Sequence, residues 1–181
     1  ADPISVTEDI SNSNWNEIYL PSIPNKEGYV SDGYWYDSYG NSYYQNSFVH
    51  LYETTTNFTA KYINIETITT MAMDQYYINN ITSEETQFYY FSCTAGDSYT
   101  VSWLDSYDGT SELSELLTNE GLSGTNGDVK VSVYSYNGSQ QDATNQDSGP
   151  VTFTASETGI IVIEVAPVNS NSTGYYAVKV N

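Results

Sequence analysis

Four carboxylates near the middle of the chain are the residues with the clearest chemical potential. In WLDSYDGTSE, residues 103–112, Asp105, Asp108 and Glu112 stand close together, and Asp128 opens the apolar run that follows the loop. Hard oxygen ligands gathered on a loop are what Ca²⁺ takes, and Gly109 would let the backbone wrap tightly around an ion. The spacing is not that of an EF-hand. The more ordinary reading of the same residues is a solvated acidic loop. The sequence therefore leaves two readings open: a calcium site at Asp105, Asp108, Glu112 and Asp128, or no cofactor at all.

Other chemistry is poorly supplied. The chain has one histidine, His50, one cysteine, Cys93, and no arginine. That leaves no nucleophilic triad and no arginine to steady an oxyanion, and no His/Cys cluster for zinc. Paired carboxylates for glycoside hydrolysis are always available among 23 acids, so counting them decides nothing. Cys93 sits inside a strand pattern and reads as a small buried apolar residue, and His50 in SFVHLYE reads as a strand residue. The expectation is a protein that is not an enzyme.

Aromatic rings offer a second kind of site. Tyrosine occurs 19 times, and EGYVSDGYWYDSYGNSYY, residues 27–44, is crowded with it. Exposed rings beside amides form sugar-binding platforms, and two sets fit: Tyr39, Tyr43 and Tyr44 with Asn41 and Gln45, and Trp103 with Tyr107. The competing reading is half-buried core, since aromatics at alternating strand positions pack more often than they present.

The charge balance narrows the partners. Two lysines face eight acids in residues 1–62, and two face fifteen in 63–181, for a net −19. Nucleic acid and anionic membrane surfaces need a basic face, which neither half has. No apolar run approaches the ~18 residues of a membrane span, and no signal peptide is recognisable, while Ala-Asp-Pro at 1–3 has the look of a secretion-vector scar. Four N-x-S/T sequons, at Asn57, Asn80, Asn137 and Asn171, are what a chain rich in Asn, Ser and Thr produces by chance.

The elements that must position these residues are almost all strands. In the back half, QFYYFSC (87–93), SYTVSWL (98–104), DVKVSVYSY (128–136), VTFTA (151–155), IIVIEVA (160–166) and GYYAVKV (174–180) are separated by turn-rich loops. Val129, Val131 and Val133 alternate with Lys130 and Ser132, so that strand has one wet face. IIVIEVA is apolar on both faces and should be central. The one helical pattern is SELSELLTNE, 111–120, with Leu113, Leu116 and Leu117 on one face and Gly121 as its stop. Residues 63–77 are apolar at Ile63, Ile65, Ile68, Met71 and Met73. They read as an ordered linker or first strand, not a flexible tether.

These patterns resemble two known families. YYFSCTAGDSYTV, DVKVSVY, FTASETG and the closing GYY keep the order and spacing of the bacterial pre-peptidase C-terminal domain: Y-x-F-x-x-x-A-G-x-x-Y-x-V, D-x-x-V-x-V-Y, F-T-A-x-x-x-G and G-x-Y. In the front half, Leu20, Pro21, Pro24, Lys26, Gly28, Tyr29, Gly33 and Tyr36, then Thr55, Thr56, Ala60, Lys61 and Tyr62, resemble the Listeria–Bacteroides repeat of the InlB B type. Its usual Gly-Trp-Tyr is here Gly33-Tyr34-Trp35-Tyr36, which requires either a bulge or a register shift.

The resemblances imply a mainly β chain. Residues 1–62 would form a small β-grasp-like repeat domain, 63–77 a linker or first strand, and 78–181 an antiparallel, jelly-roll-like β-sandwich. They also imply a non-catalytic module of an exported bacterial surface protein. It would act as a spacer or adhesion domain, with host or matrix proteins, glycans or neighbouring repeats of a longer chain as partners. A carbohydrate- or glycoprotein-binding module is the first alternative, and an accessory domain of an exported protease the second.

Overall fold

The computed structural model of the chain describes residues 5–9, 16–51, 55–83, 85–136 and 141–181. It divides into two compact units, one of Ala1–Thr67 with Tyr136–Ser139, the other of Ile68–Ser135 with Gln140–Asn181.

The first unit contains β1 (Ser5–Asp9), β2 (Asn16–Leu20), β3 (Tyr29–Tyr36), β4 (Ser42–Tyr44), β5 (Ser47–Leu51) and β6 (Thr55–Asn64). Four strands form an antiparallel sheet in the order β1-β6-β3-β4, and β2 and β5 form a separate two-stranded ribbon. Leu20, Ile23 and Val49 pack against Trp35, Phe58 and Ala60, with Ile18, Tyr43 and Tyr62 at the margin. Of the tyrosine-rich stretch 27–44, Trp35 enters this core and Tyr43 lies at its margin, while the other core residues come from outside the stretch. Trp35 is fully buried, and its indole N–H donates to the Pro21 carbonyl at 2.8 Å, which satisfies the polar end of a ring placed in an apolar setting.

β3 carries a bulge before Trp35. Ser31 pairs with Tyr62 and Trp35 with Ala60, so Asp32, Gly33 and Tyr34 stand opposite Lys61 alone. Gly33 sits at φ 82°, a conformation glycine adopts without a Cβ penalty. Its N–H donates to Ser31 Oγ at 3.2 Å, and its carbonyl accepts from Gln45 N at 2.9 Å. The bulge thus turns Trp35 inward.

The second unit holds β7 (Thr69–Thr70), β8 (Tyr77–Ile81), β9 (Gln87–Cys93), β10 (Ser98–Leu104), α1 (Thr110–Asn119), β11 (Val129–Ser135), β12 (Gln141–Gln146), β13 (Val151–Thr154), β14 (Gly159–Pro167) and β15 (Gly174–Val180). Its sheets run β13-β10-β15-β8 and β12-β11-β14-β9-β7, and only the short β7 lies parallel to its neighbour. Between them lies one core that includes Phe91, Tyr99, Val101, Val131, Val133, Phe153, Ile161, Ile163 and Val178. Each aliphatic side chain fully buried there contributes about 1.5–3 kcal/mol. The strand IIVIEVA falls in β14, flanked on both sides, as its two apolar faces require.

A polar bridge ties the two layers together. Tyr89 of β9 and Tyr176 of β15 meet hydroxyl to hydroxyl at 2.6 Å. Tyr176 donates to Gln87 Oε1 at 2.7 Å, and Asn79 Nδ2 donates to the Tyr89 hydroxyl at 3.3 Å. Burial raises both phenols above their ordinary ionisation range, so they act as neutral hydrogen-bonding groups.

Helix α1 lies on the outer side of the four-stranded sheet, with Leu113 and Leu117 packed on Leu104 and Ala177. Its end is set by Gly121 at φ 69° and the Leu122 N–H to Leu117 carbonyl bond of 2.8 Å. The chain is mainly β, with open antiparallel sheets in both units and a sandwich-type arrangement in the second. The layout is not specifically that of a β-grasp or a jelly roll. No helix among the described residues is long and apolar enough to cross a membrane.

Candidate functional site

The acidic loop is organised around Asp105, which follows the last residue of β10 and is completely buried. Its Oδ1 accepts the N–H groups of Tyr107 at 2.7 Å and Asp108 at 2.6 Å, and its Oδ2 accepts that of Val129 at 3.1 Å. A tight turn closes as the Asp105 N–H donates to the Asp108 carbonyl at 2.8 Å. One carboxylate therefore folds the turn and fastens the end of β10 to the start of β11. Burial pushes the Asp105 carboxyl above its ordinary range, while the three backbone donors pull the other way and the neighbouring Asp128 adds to the rise.

The other members of the proposed calcium set point to different partners. Asp108 Oδ2 accepts from Gly149 N at 3.2 Å, and Glu112 Oε1 accepts from the Tyr76 hydroxyl at 3.0 Å. The backbone carbonyl of Asp128 accepts from Val168 N at 3.1 Å. Among the described residues no group of three His, Cys, Asp or Glu side chains is placed to hold a metal ion. Asp105 in particular does not fit, because its oxygens already face three N–H donors. Gly109 serves a different purpose from ion wrapping. At φ 66° it starts α1, and a Cβ there would come within 2.2 Å of Leu104 Cδ2.

The predicted aromatic platforms are also separated. Trp103 is 3% exposed and belongs to the inter-sheet core, with Gly149 pressed so closely on its ring that a Cβ would come within 2.8 Å. It shares an inward face with Tyr99 and Val101, so it is not a surface ring, whereas Tyr107 is 78% exposed. Tyr39 is 73% exposed in the turn after β3. Tyr43 stands edge-on to Phe58, with its hydroxyl donating to Asp37 Oδ2 at 3.1 Å. Tyr44 packs edge-on to Tyr34 instead. Neighbouring strand residues point to opposite faces, so Tyr43 and Tyr44 do not share one platform. Gln45 is buried, with its Oε1 accepting Ile23 N at 2.7 Å.

Sequence reasoning missed a pair that the register creates. On the β2–β5 ribbon Tyr19 lies directly opposite Phe48, and Glu17 opposite His50. Tyr19 is 49% and Phe48 64% exposed, with ring centroids 5.1 Å apart and planes at 61°. Glu17 Oε1 and His50 Nε2 are 3.8 Å apart, both exposed. The available signal was the alternation of Tyr19 with Ile18 and Leu20, and of Phe48 with Val49.

Groups suited to catalysis are not assembled around any of these residues. The Cys93 thiol is buried, donates to the Glu157 carbonyl at 3.4 Å, and has its ionisation pushed up by burial, which suppresses the thiolate. Of the sequons, Asn57, Asn80 and Asn171 are exposed, while Asn137 lies outside the described residues.

No protein-family model matches the chain, and no curated protein matches it. The B-repeat resemblance therefore has no support beyond the residues that carry it. A solved structure, the pre-peptidase C-terminal domain of collagenase from Bacillus anthracis, shows a weak structural resemblance. It is 14% identical, with a TM-score of 0.43, over 63% of this chain and 94% of that one.

Proposed function

We propose that the chain is a non-catalytic accessory segment of an exported bacterial protein, carried beside a catalytic domain such as a protease. The sandwich unit is its pre-peptidase-type, jelly-roll-like module. The front unit is a small β-grasp-like domain that spaces it or presents it to a partner. Residues 63–77 lead from one to the other, and the location is extracellular.

One observation supports this reading most. The motif residues that carry the pre-peptidase resemblance are scaffold: Tyr89, Phe91, Tyr99, Val101, Val131, Val133, Phe153 and Tyr176 are all buried between or within the two layers. A motif that specifies a core gives a stable module and leaves chemistry to whatever adjoins it. The carboxylates favour the same view, because Asp105 and Asp108 hold loops and Glu112 holds Tyr76. The reading does not call on calcium.

A hydrolase screen tests the absence of catalysis. The purified chain should release nothing above background from gelatin, casein or chromogenic glycosides. Turnover that disappears on substituting Asp105, Glu112 or His50 would contradict the reading.

A further inference from the structure

The outer face of the β2–β5 ribbon combines features that none of the accessory-module reading requires. Glu17, Tyr19, Phe48 and His50 all project from it, while Ile18, Leu20 and Val49 turn towards the core. Tyr19 and Phe48 are both exposed and meet edge-on across directly paired strands, held in place by the ladder beneath them. Rings mounted in this way lose little conformational freedom when something stacks on them.

Polar groups stand at both ends of the rings. In the β4–β5 turn, beside the Leu20–Ser47 end of the ribbon, Asn46 is fixed at φ 57°, and its Oδ1 accepts from Ser22 Oγ at 2.8 Å and from the Tyr19 hydroxyl at 3.4 Å. With that oxygen occupied, the exposed Asn46 amide keeps its two N–H groups as donors. At the other end, about 7 Å further along the strands, Glu17 supplies carboxylate acceptors and His50 an imidazole.

We propose that this face binds a hydrated, neutral oligosaccharide. Such a ligand has a C–H surface that stacks on an aromatic ring and hydroxyls around its rim. The rim would reach the Asn46 amide on one side and Glu17 on the other. An apolar peptide side chain would cover the rings but make no use of those polar groups. Anionic glycans are disfavoured by the net charge of −19 and by the pairing of the face's own imidazole with Glu17. The 61° angle between the rings further excludes a flat crystalline polymer, because both rings cannot lie against one plane.

Titration calorimetry of the whole chain decides the matter. The probes are neutral hexasaccharides of glucose, mannose, galactose and N-acetylglucosamine, with a sulfated glycan and crystalline cellulose for comparison. At least one neutral hexasaccharide should bind. Phe48→Ala and Tyr19→Ala should each weaken that binding by about tenfold or more, whereas Tyr19→Phe should weaken it less and Tyr39→Ala should leave it unchanged. Because Tyr19 and Phe48 are exposed, unchanged circular dichroism is expected for every variant. Failure of all four neutral probes would overturn the proposal, as would binding insensitive to Phe48→Ala or confined to the sulfated glycan or the cellulose. None of these outcomes bears on whether the chain accompanies a catalytic domain.

Discussion

Asp105 shows how an acidic residue in a suggestive loop can be committed to architecture. Its two oxygens accept three backbone N–H groups, of which that of Val129 would otherwise be buried without a partner. In Asp105→Asn, the amide nitrogen that replaces one oxygen presents hydrogens where an acceptor is needed. A loss of about 1–3 kcal/mol is expected in urea unfolding, with no difference between EDTA and Ca²⁺ in either protein. A calcium-dependent rise in Tm confined to the wild type would show instead that the carboxylate holds an ion.

Protonation gives a second test at the same scale. Asp32, like Asp105, is raised above the ordinary 3.8, chiefly by burial, although Tyr36 donates to it. Both carboxyls hold their proton to higher pH when folded than when unfolded, so the folded state binds more protons. Stability contributed in this way grows as pH falls through the folded values and is complete below 3.8. Asp37 works in the opposite sense: its slight burial is outweighed by hydrogen bonds from Asn41, Tyr43 and Tyr39, and its contribution fades below 3.8. Tm should therefore rise as the pH is lowered from neutrality towards 3.8. A Tm that drops as the pH is lowered towards that value would mean that the buried carboxylates are net stabilising as anions.

At the scale of elements, the Tyr89–Tyr176 bridge joins β9 of one sheet to β15 of the other. Tyr176→Phe removes the shorter hydroxyl bond to Gln87 Oε1 and leaves the Tyr89 hydroxyl its 3.4 Å approach to the same oxygen, so it should cost about 0.5–1.5 kcal/mol. A double-mutant cycle with Tyr89→Phe should give a coupling of about 0.5–3 kcal/mol, read from chemical denaturation. Additive effects would show that each hydroxyl is satisfied independently.

Strands with a marked face were legible in the sequence, because alternation in β11 and double-sided apolarity in β14 leave little choice of role. The helix was legible for the same reason, through Leu113, Leu116 and Leu117. β12 was not: QDATNQ offers only Ala143 to the core and reads as loop until β11 is there to pair with it. The site was less legible than the fold. Spacing brought Asp105, Asp108 and Glu112 together on paper, but the direction of a carboxylate depends on which N–H groups the turn exposes. Trp103 could have been placed inside from its shared face with Tyr99 and Val101. Tyr19 and Phe48 are joined only by strand register, which no local pattern states.

Across the whole molecule, a net charge of −19 is carried with very few cations, and three of the four lysines lie over tyrosine rings. Lys61 Nζ stands 3.8 Å from the Tyr36 ring centre, Lys26 4.3 Å from that of Tyr29, and Lys179 4.6 Å from that of Tyr76. Tyr76 is itself pushed up to about 12, first by burial and then by its bond to Glu112, so it stays neutral beneath the lysine. Cation–π contacts act at short range, whereas repulsion among 23 acids is long-ranged and screened by salt. Raising NaCl from about 0.05 M to about 0.5 M should therefore raise Tm. A fall would show that attractive surface pairs outweigh the repulsion.

The most direct measurement is the size and content of the native polypeptide that carries this chain. An antiserum raised against the purified 181 residues would capture it from culture supernatant for peptide mass spectrometry. The account predicts an extracellular polypeptide well above 20.2 kDa in which peptides of a catalytic domain, a peptidase foremost, are joined to this sequence. Recovery as a free 20.2 kDa protein, or within a chain that holds no catalytic domain, would contradict it.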